Sequence, residues 1–563
     1  MAMPTGGDAG GPTGAEALVR ALQRAGADRA FGVPGPHDLE LIVQLRTQGL
    51  RFVAMQRADA AVTAAAGWSH RTGRPVVAVP GPGDGTLGVL RALEEARQLG
   101  APVLVISHSP TIVPRTVRPG DSAEVAPLPV GLEEVTVGSI VVRPTDDLRA
   151  QVARARDLAM TAPGGPVVIH LPPGFPSAPV APEPEDPDQP VDSGTATTAK
   201  PVEHVQLRRA ANLVDSSQNV LIWVGGGAMR AGAGGAVAEL AEKVGVPVVT
   251  TVHAAGLLPA RHPCLVGMPP HLPAVGALWD DADLVVGIGT DFDDESTQGG
   301  AQPDPDSLIA INVDPAAAGR RYRPDVLLRG DARTLTKALA DTVGYRGGTA
   351  VVRSRLDEVR STVRRQLEAA HGPEMAFLNA VSAAIPDRAT VVTDPCAAGR
   401  WLAAFHEWTL PRTLWFPPTL DAVGSAVPAA IGAAAADSTE PVVAVVGDQG
   451  LLANLGELAT MAREKLPLTL LVVDDGGAGR LRPLLDTLGL DPTTLDRPTP
   501  DFAALARTFG MRADVIEVIG EDLTKALRAH IAAPDPTMLV VRTRLAAPPT
   551  DQHRWYRQQA WQQ

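Results

Sequence analysis

At 563 residues the chain is too long for one hydrophobic core, and size alone suggests roughly three or four domains. Its 63 acidic and 50 basic residues leave a formal charge of −13, which argues against nucleic acid as the main partner, because phosphate binding needs clustered positive charge. The only cysteines, Cys264 and Cys396, support neither a disulfide framework nor a cysteine metal site and read as small apolar residues. No apolar run approaches the ~20 residues of a spanning helix. The Gly-rich start lacks the apolar stretch of a signal peptide. A cytoplasmic protein without a membrane partner is expected.

In chain order, the first block alternates short apolar strands at 30–33, 51–54, 76–79 and 103–106 with helical stretches such as 59–70. A Pro-rich segment from Pro172 to Lys200 reads as an extended linker. The middle block repeats the pattern, with strands at 220–224, 247–250, 284–287 and 308–311. After a softer break near Tyr345, an Arg-rich helical segment begins at about Val351, and further strands follow at 391–393, 442–446 and 468–473. Alternation of this kind predicts an α/β chain of three doubly wound parallel-sheet domains. The expected boundaries are 12–178, a linker at 179–203, 204–346, 347–545 and a tail at 546–563.

Gly225-Gly226-Gly227 follows a strand, as a dinucleotide fingerprint would, but Arg230 stands where that fingerprint needs glycine or alanine. More informative is Val442-Val443-Ala444-Val445-Val446-Gly447-Asp448-Gln449-Gly450, followed by a helical segment at 455–465 and then Val473-Asp474-Asp475-Gly476-Gly477. This is a βαβ unit with acidic groups at the carboxyl ends of both strands, where open α/β sheets bind ligands. Two hard oxygen donors with nearby backbone carbonyls suit Mg²⁺ or Ca²⁺, and Mg²⁺ is usually shared with substrate phosphates. A metal-anchored diphosphate is expected.

The same motif resembles the diphosphate-binding motif of thiamine diphosphate (ThDP) enzymes, usually Gly-Asp-Gly followed by a paired Asn-Asn. The small-residue segment Leu420-Asp421-Ala422-Val423-Gly424-Ser425-Ala426 before it, and Asn454-x-x-Glu457-Leu458 after it, resemble the C-terminal domain of the acetolactate synthase and benzoylformate decarboxylase family. Thr393-Asp394 with Trp401 resembles the entry to that domain. Gly225-Gly226-Gly227, Pro247-Val248-Val249-Thr250-Thr251, Asp291-Phe292-Asp293-Asp294 and Ile311-Asn312-Val313-Asp314-Pro315 resemble the family's middle domain. Gly32-x-Pro34-Gly35 and Gly81-Pro82-Gly83 resemble turns of its N-terminal domain.

The resemblance implies ThDP and Mg²⁺ as cofactors. Asp448 and Asp475 match the side-chain ligands, Gly477 the backbone-carbonyl ligand, and Gly447, Gln449, Gly450 and Gly424 the cofactor's surroundings. Val423 matches the bulky residue that props the cofactor into a bent conformation. A flavin (FAD), carried by some relatives in the middle domain, is not favoured. A 2-oxo acid or aldehyde is the implied substrate, and a homodimer or homotetramer the implied assembly. Two departures stand out: Gln449 replaces the second glycine of Gly-Asp-Gly, and Asp474-Asp475 replaces Asn-Asn.

A third departure concerns chemistry. Family members supply a glutamate, across a subunit interface, that hydrogen-bonds the cofactor's aminopyrimidine and so assists loss of the thiazolium C2 proton. Counting back nine residues from Gly67 places Ala58 at that position. Asp59 would substitute only if the helix start rotated by about 100°. His37, Asp59 and His108 are the polar candidates near the thiazolium. Two readings follow: a working carboligase or decarboxylase lacking the usual glutamate, as in glyoxylate carboligase, whose position is apolar, or a catalytically silent ThDP-fold partner or binding module. The tail, with Trp555, Tyr556 and Trp561, either folds over the cofactor or is disordered.

Overall fold

The computed structural model describes residues 11–81, 87–108, 131–143, 145–180, 203–419, 422–436, 439–477, 479–482, 485, 488–491 and 499–551. Contacts divide the chain into two compact units, residues 1–197 with 431–436, and residues 198–430 with 437–563.

The first unit is built on a six-stranded, all-parallel sheet: β1 (Arg29–Gly32), β2 (Arg51–Ala54), β3 (Val76–Val79), β4 (Val103–His108), β5 (Gly138–Val141) and β6 (Val167–Leu171), in the order β2-β1-β3-β4-β6-β5. β3 and β6 are buried at every position, as strands covered on both faces must be, which is why they read as unbroken apolar runs. The helix Gly14–Arg24 starts at a capping box in which the Thr13 hydroxyl accepts from the Glu16 amide and the Glu16 carboxylate from the Thr13 amide. The helix Ala58–Thr72 follows β2, buries Ala60, Ala61, Val62, Ala64 and Ala65, and stops at Gly73 with φ 69°.

The second unit carries two sheets. One comprises β7 (Val220–Val224), β8 (Val248–Thr250), β9 (Leu284–Ile288), β10 (Leu308–Asn312) and β11 (Val326–Arg329), in the order β11-β10-β9-β7-β8. An aromatic cluster of Trp223, Trp279, Phe292 and Tyr322, with centroids 5.2–6.2 Å apart, fills one of its faces. The other comprises β12 (Thr390–Thr393), β13 (Leu414–Trp415), β14 (Val442–Gly447), β15 (Leu468–Asp474), β16 (Arg512–Ile516) and β17 (Thr537–Arg542), in the order β13-β12-β14-β15-β17-β16. From β12 the chain first steps to β13 and then reverses to β14. The crevice between the carboxyl ends of β12 and β14 is therefore the topological switch point, where ligands bind in such sheets.

The expected strands are present, with ends moved by a residue or two, and β4 runs on to His108. Six further strands, β5, β6, β11, β13, β16 and β17, complete the sheets. The helix expected at 455–465 is present as Glu457–Glu464, and a further short helix, Asp448–Ala453, precedes it. Asn454 leaves helical geometry between them (φ −129°, ψ 32°), its side chain being used elsewhere, and Gly456 weakens helix continuation. Among the described residues no helix is long and apolar enough to cross a membrane.

Candidate cofactor site

Strand register places the acids. β14 and β15 pair in parallel with Gly447 opposite Val473, so Asp448 leaves one strand where Asp474 and Asp475 leave the other. Asp448 is 4% exposed and opens the helix Asp448–Ala453, with Gly447 extended before it (φ −81°, ψ 166°). Its Oδ1 accepts from the Gln449 amide at 2.6 Å, while its Oδ2 is buried without a hydrogen-bond partner. Burial, then the neighbouring charges of Asp475 and Asp474, push the Asp448 carboxyl up to about 6, against the pull of the Gln449 and Gly477 amides.

Asp475 is held by the loop that follows it. Its Oδ1 accepts from the amides of Gly477 at 3.1 Å and Gly479 at 3.4 Å. Gly476 and Gly477 have φ of 82° and 103°, which favours glycine, and a Cβ on Gly479 would lie 2.0 Å from Asp475 Oδ2 and displace that carboxylate. Asp474 turns away: its Oδ1 accepts from the Gly476 amide at 3.3 Å and from the Thr499 hydroxyl at 3.1 Å. The structure thus brings Asp448 near Asp475 and the Gly477 amide, and leaves Asp474 as a nearby charge. Among the described residues no group of three or more His, Cys, Asp or Glu side chains is placed to hold a metal ion. Two carboxylates that leave the rest of the ligand set to backbone and phosphate oxygens fit Mg²⁺.

Gln449 is half-buried and its side-chain nitrogen has no hydrogen-bond partner, which places an amide donor in this crevice where the usual motif has glycine. Ahead of the helix Ala426–Ala436, Val423 is 40% exposed, whereas Ala422, Gly424 and Ser425 are buried. Gly450 packs against Asp394 rather than standing free, since a Cβ there would lie 1.8 Å from Asp394 Oδ2. Asp394, Asn454 and Thr499 had no role assigned from sequence. A Thr-Asp pair ending a strand was the visible signal for the first. Cys396 caps the helix Ala397–Phe405 through its sulfur, and burial pushes its thiol up to about 12, an inert state.

The second unit also contains a cavity of about 600 Å³, lined by His253, His271, Asp293, Glu295 and Arg400 among others. Burial and then Asp293 push Glu295 up to about 7.

In the first unit, Ala58 is the first residue of its helix and half-buried. The Asp59 carboxylate is taken by Arg57 in a two-point pair, at 3.0 Å from Nε and 2.8 Å from Nη2. His37 lies exposed in the turn after β1, and His108 ends β4. β3 lies between β1 and β4, so these two histidines belong to the same sheet edge but to non-adjacent strands. Pro82, Gly83 and the aromatic tail lie outside the described residues.

Three family models match in order: the N-terminal TPP binding domain of thiamine pyrophosphate enzymes over 12–115, the central domain over 207–339 and the C-terminal TPP binding domain over 396–541. A probable 2-ketoarginine decarboxylase of Pseudomonas aeruginosa is 30% identical over 548 residues, covering 94% of each chain. The chain belongs to the thiamine pyrophosphate enzyme family. Acetolactate synthase of Mycobacterium bovis is 29% identical over 539 residues, 90% of this chain and 85% of that one. A probable acetolactate synthase large subunit of Methanocaldococcus jannaschii is 26% identical over 551 residues, 93% of this chain and 91% of that one. The X-ray structure of a proposed thiamin diphosphate-dependent enzyme from Mycobacterium smegmatis shares the fold, with a TM-score of 0.72 at 21% identity over 95% of this chain and 100% of that one. The three parallel-sheet α/β domains are thus those of thiamine pyrophosphate enzymes.

Proposed function

We propose that this chain is a ThDP- and Mg²⁺-dependent lyase or carboligase that works on a 2-oxo acid without the usual activating glutamate. The observation that carries the reading is Asp448: a buried carboxylate with one unpartnered oxygen, beside Asp475, at the carboxyl ends of β14 and β15, next to the switch point between β12 and β14. When bound, ThDP supplies a carbon nucleophile at thiazolium C2 and an electron sink for the bond that breaks as CO₂ leaves. Asp448, Asp475 and the Gly477 carbonyl would hold the ion that tethers the diphosphate. Val423, exposed while its neighbours are buried, would brace the cofactor. The acyl unit left after CO₂ departs would take a proton, giving an aldehyde, or add to a carbonyl acceptor, giving a hydroxyketone. 2-Ketoarginine, named for the Pseudomonas relative, falls within the proposed substrate class.

Flavin is not part of this reading. A Cβ on Gly225 would lie 2.5 Å from Gly289 O, so the Gly225-x-Gly227 turn is filled by packing against the end of β9, with Arg230 beside it. The proposal includes the domain boundaries stated above, a homodimer or homotetramer, and a cytoplasmic location. Calorimetric titration with ThDP tests it: uptake only with a divalent ion present, together with CO₂ release from a 2-oxo acid, supports it. Protein that takes up neither at saturating supply rejects it.

Ala58 favours a second reading, a silent binding module, because alanine can neither give nor accept a proton and Asp59 is held by Arg57. Deuterium exchange at C2 of the bound cofactor, followed by NMR, separates the two. Exchange no faster than in free cofactor selects the silent module.

A further inference from the structure

The loop that carries Val423 is gripped from two sides. Gly424 takes φ +96°, and a Cβ there would meet Ala453 Cβ at 2.7 Å, Asn454 Nδ2 at 3.1 Å and Gly450 O at 3.3 Å, so the loop lies directly on the helix that Asp448 opens. The Gly424 amide donates to Asp394 Oδ2 at 3.0 Å, and the Ala426 amide to Asp394 Oδ1 at 2.9 Å. From the other side, Asn454 Nδ2 donates to the Gly424 carbonyl at 2.7 Å. Both polar groups of a single peptide residue are therefore fixed by buried side chains, Asp394 being 1% and Asn454 9% exposed.

Asp394 is itself anchored. It follows β12, its amide donates to the Val445 carbonyl of β14 at 3.0 Å, and its carboxylate fills the space that a Gly450 side chain would need. Two residues before Gly450 stands Asp448. Asp394 thus touches the loop that presents Val423 and the helix that presents Asp448 through its carboxylate, and the strand that leads into that helix through its own amide.

We propose that Asp394 is a positioning residue that fixes Val423 relative to Asp448, so that diphosphate anchor and cofactor brace are held at one separation. The proposal rests on the ThDP reading above and deepens it. An ordinary helix cap explains part of the geometry, since Ala426 opens the helix Ala426–Ala436 and an acid there stabilises its first turn. It does not explain the grip on Gly424 from both sides, nor the glycine at 450. A cap leaves the bound cofactor unchanged; a positioning residue does not.

The test measures ThDP affinity, by calorimetry at saturating Mg²⁺, and the near-ultraviolet circular dichroism of bound cofactor. Asp394→Asn turns one acceptor into a donor facing an amide, and Gly450→Ala pushes the carboxylate aside from the opposite direction. Both are expected to weaken binding by roughly tenfold, the scale of one charge-assisted hydrogen bond, and to alter the bound-cofactor spectrum in the same way. In a cycle with Val423→Ala the losses should not multiply, because all three changes release the same contact. Asn454→Ala applies the same test from the carbonyl side should Asp394→Asn fail to fold. Wild-type affinity and spectrum in the folded variants, or losses that multiply with Val423→Ala, overturn the proposal. Wild-type protein that binds no ThDP overturns the ThDP reading as well.

Discussion

The carboxyl edges of the C-terminal and N-terminal sheets carry different chemistry. In the C-terminal sheet the segments after β12, β14 and β15 all carry acids held by backbone amides, those of Gly424, Gln449 and Gly477 among them. In the N-terminal sheet, the helix after β2 begins with Ala58, and the acid beside it is spent on Arg57. On the proposed reading, one edge offers groups suited to tethering a cofactor and the other offers no free acid at positions 58 and 59 for proton transfer. Binding and activation are separable tasks in this fold, because a tether needs a fixed charge whereas activation needs a titrating group in one place.

The strongest way to break this comparison is Asp448→Asn. If the tether depends on its charge, ThDP affinity in Mg²⁺ falls on the order of 100-fold, about 3 kcal/mol, measured by calorimetry; a loss of less than about threefold would mean the acids of this edge are not the anchor. The other edge is addressed by Ala58→Glu. Restoring an acid should raise the rate of C2 deuterium exchange by roughly 100-fold, the low end of general acid–base assistance, with ThDP affinity little changed. An unchanged rate would show that position 58 does not face the aminopyrimidine.

A third expectation concerns stability of the N-terminal unit. His170 on β6 is 3% exposed, and burial pushes its titration from the ordinary 6.5 down to about 4. The unfolded chain therefore takes up a proton that the folded unit refuses. Stability present above pH 6.5 is lost as pH falls towards 4, by up to about 3 kcal/mol. His170→Leu should flatten this part of the pH dependence in denaturant titrations at pH 7 and 4.5; an unaltered slope would assign it to other groups. The smallest expected effect is Asp474→Asn. It keeps an acceptor for Thr499 and Gly476 but removes one negative charge beside Asp448. Diphosphate affinity should rise only a few-fold, roughly 0.5–1 kcal/mol, and the gain should shrink in high salt.

Much of the fold was legible because parallel strands covered on both faces appear as apolar runs, as in 442–446. The strands that escaped notice include those least like that pattern. β5 contains glycine and serine and is only partly buried, β13 has two residues, and β16 alternates exposed and buried positions from Arg512. Within the site, Asp448 and Asp475 were readable because each ends an apolar run. Asp394 also follows a strand, but its role was not readable, because its partners are the backbone amides of residues 30 and 32 positions away, and an amide leaves no mark on composition or spacing. Asn454 belongs to the Asn454-x-x-Glu457-Leu458 motif, yet its partner is a carbonyl equally silent in sequence.

The pairing of Gly447 with Val473 has a consequence for how such a chain can change over time. Side chains alternate across a strand, so sliding β15 forward by one residue against β14 would put Asp474 where Asp475 now stands and Val473 where Asp474 meets Thr499. Insertions in the short connection before Leu468 are harmless only if that phase survives. The tightly paired middle of the sheet, remote from any ligand, thereby works as a vernier for the acids at its rim.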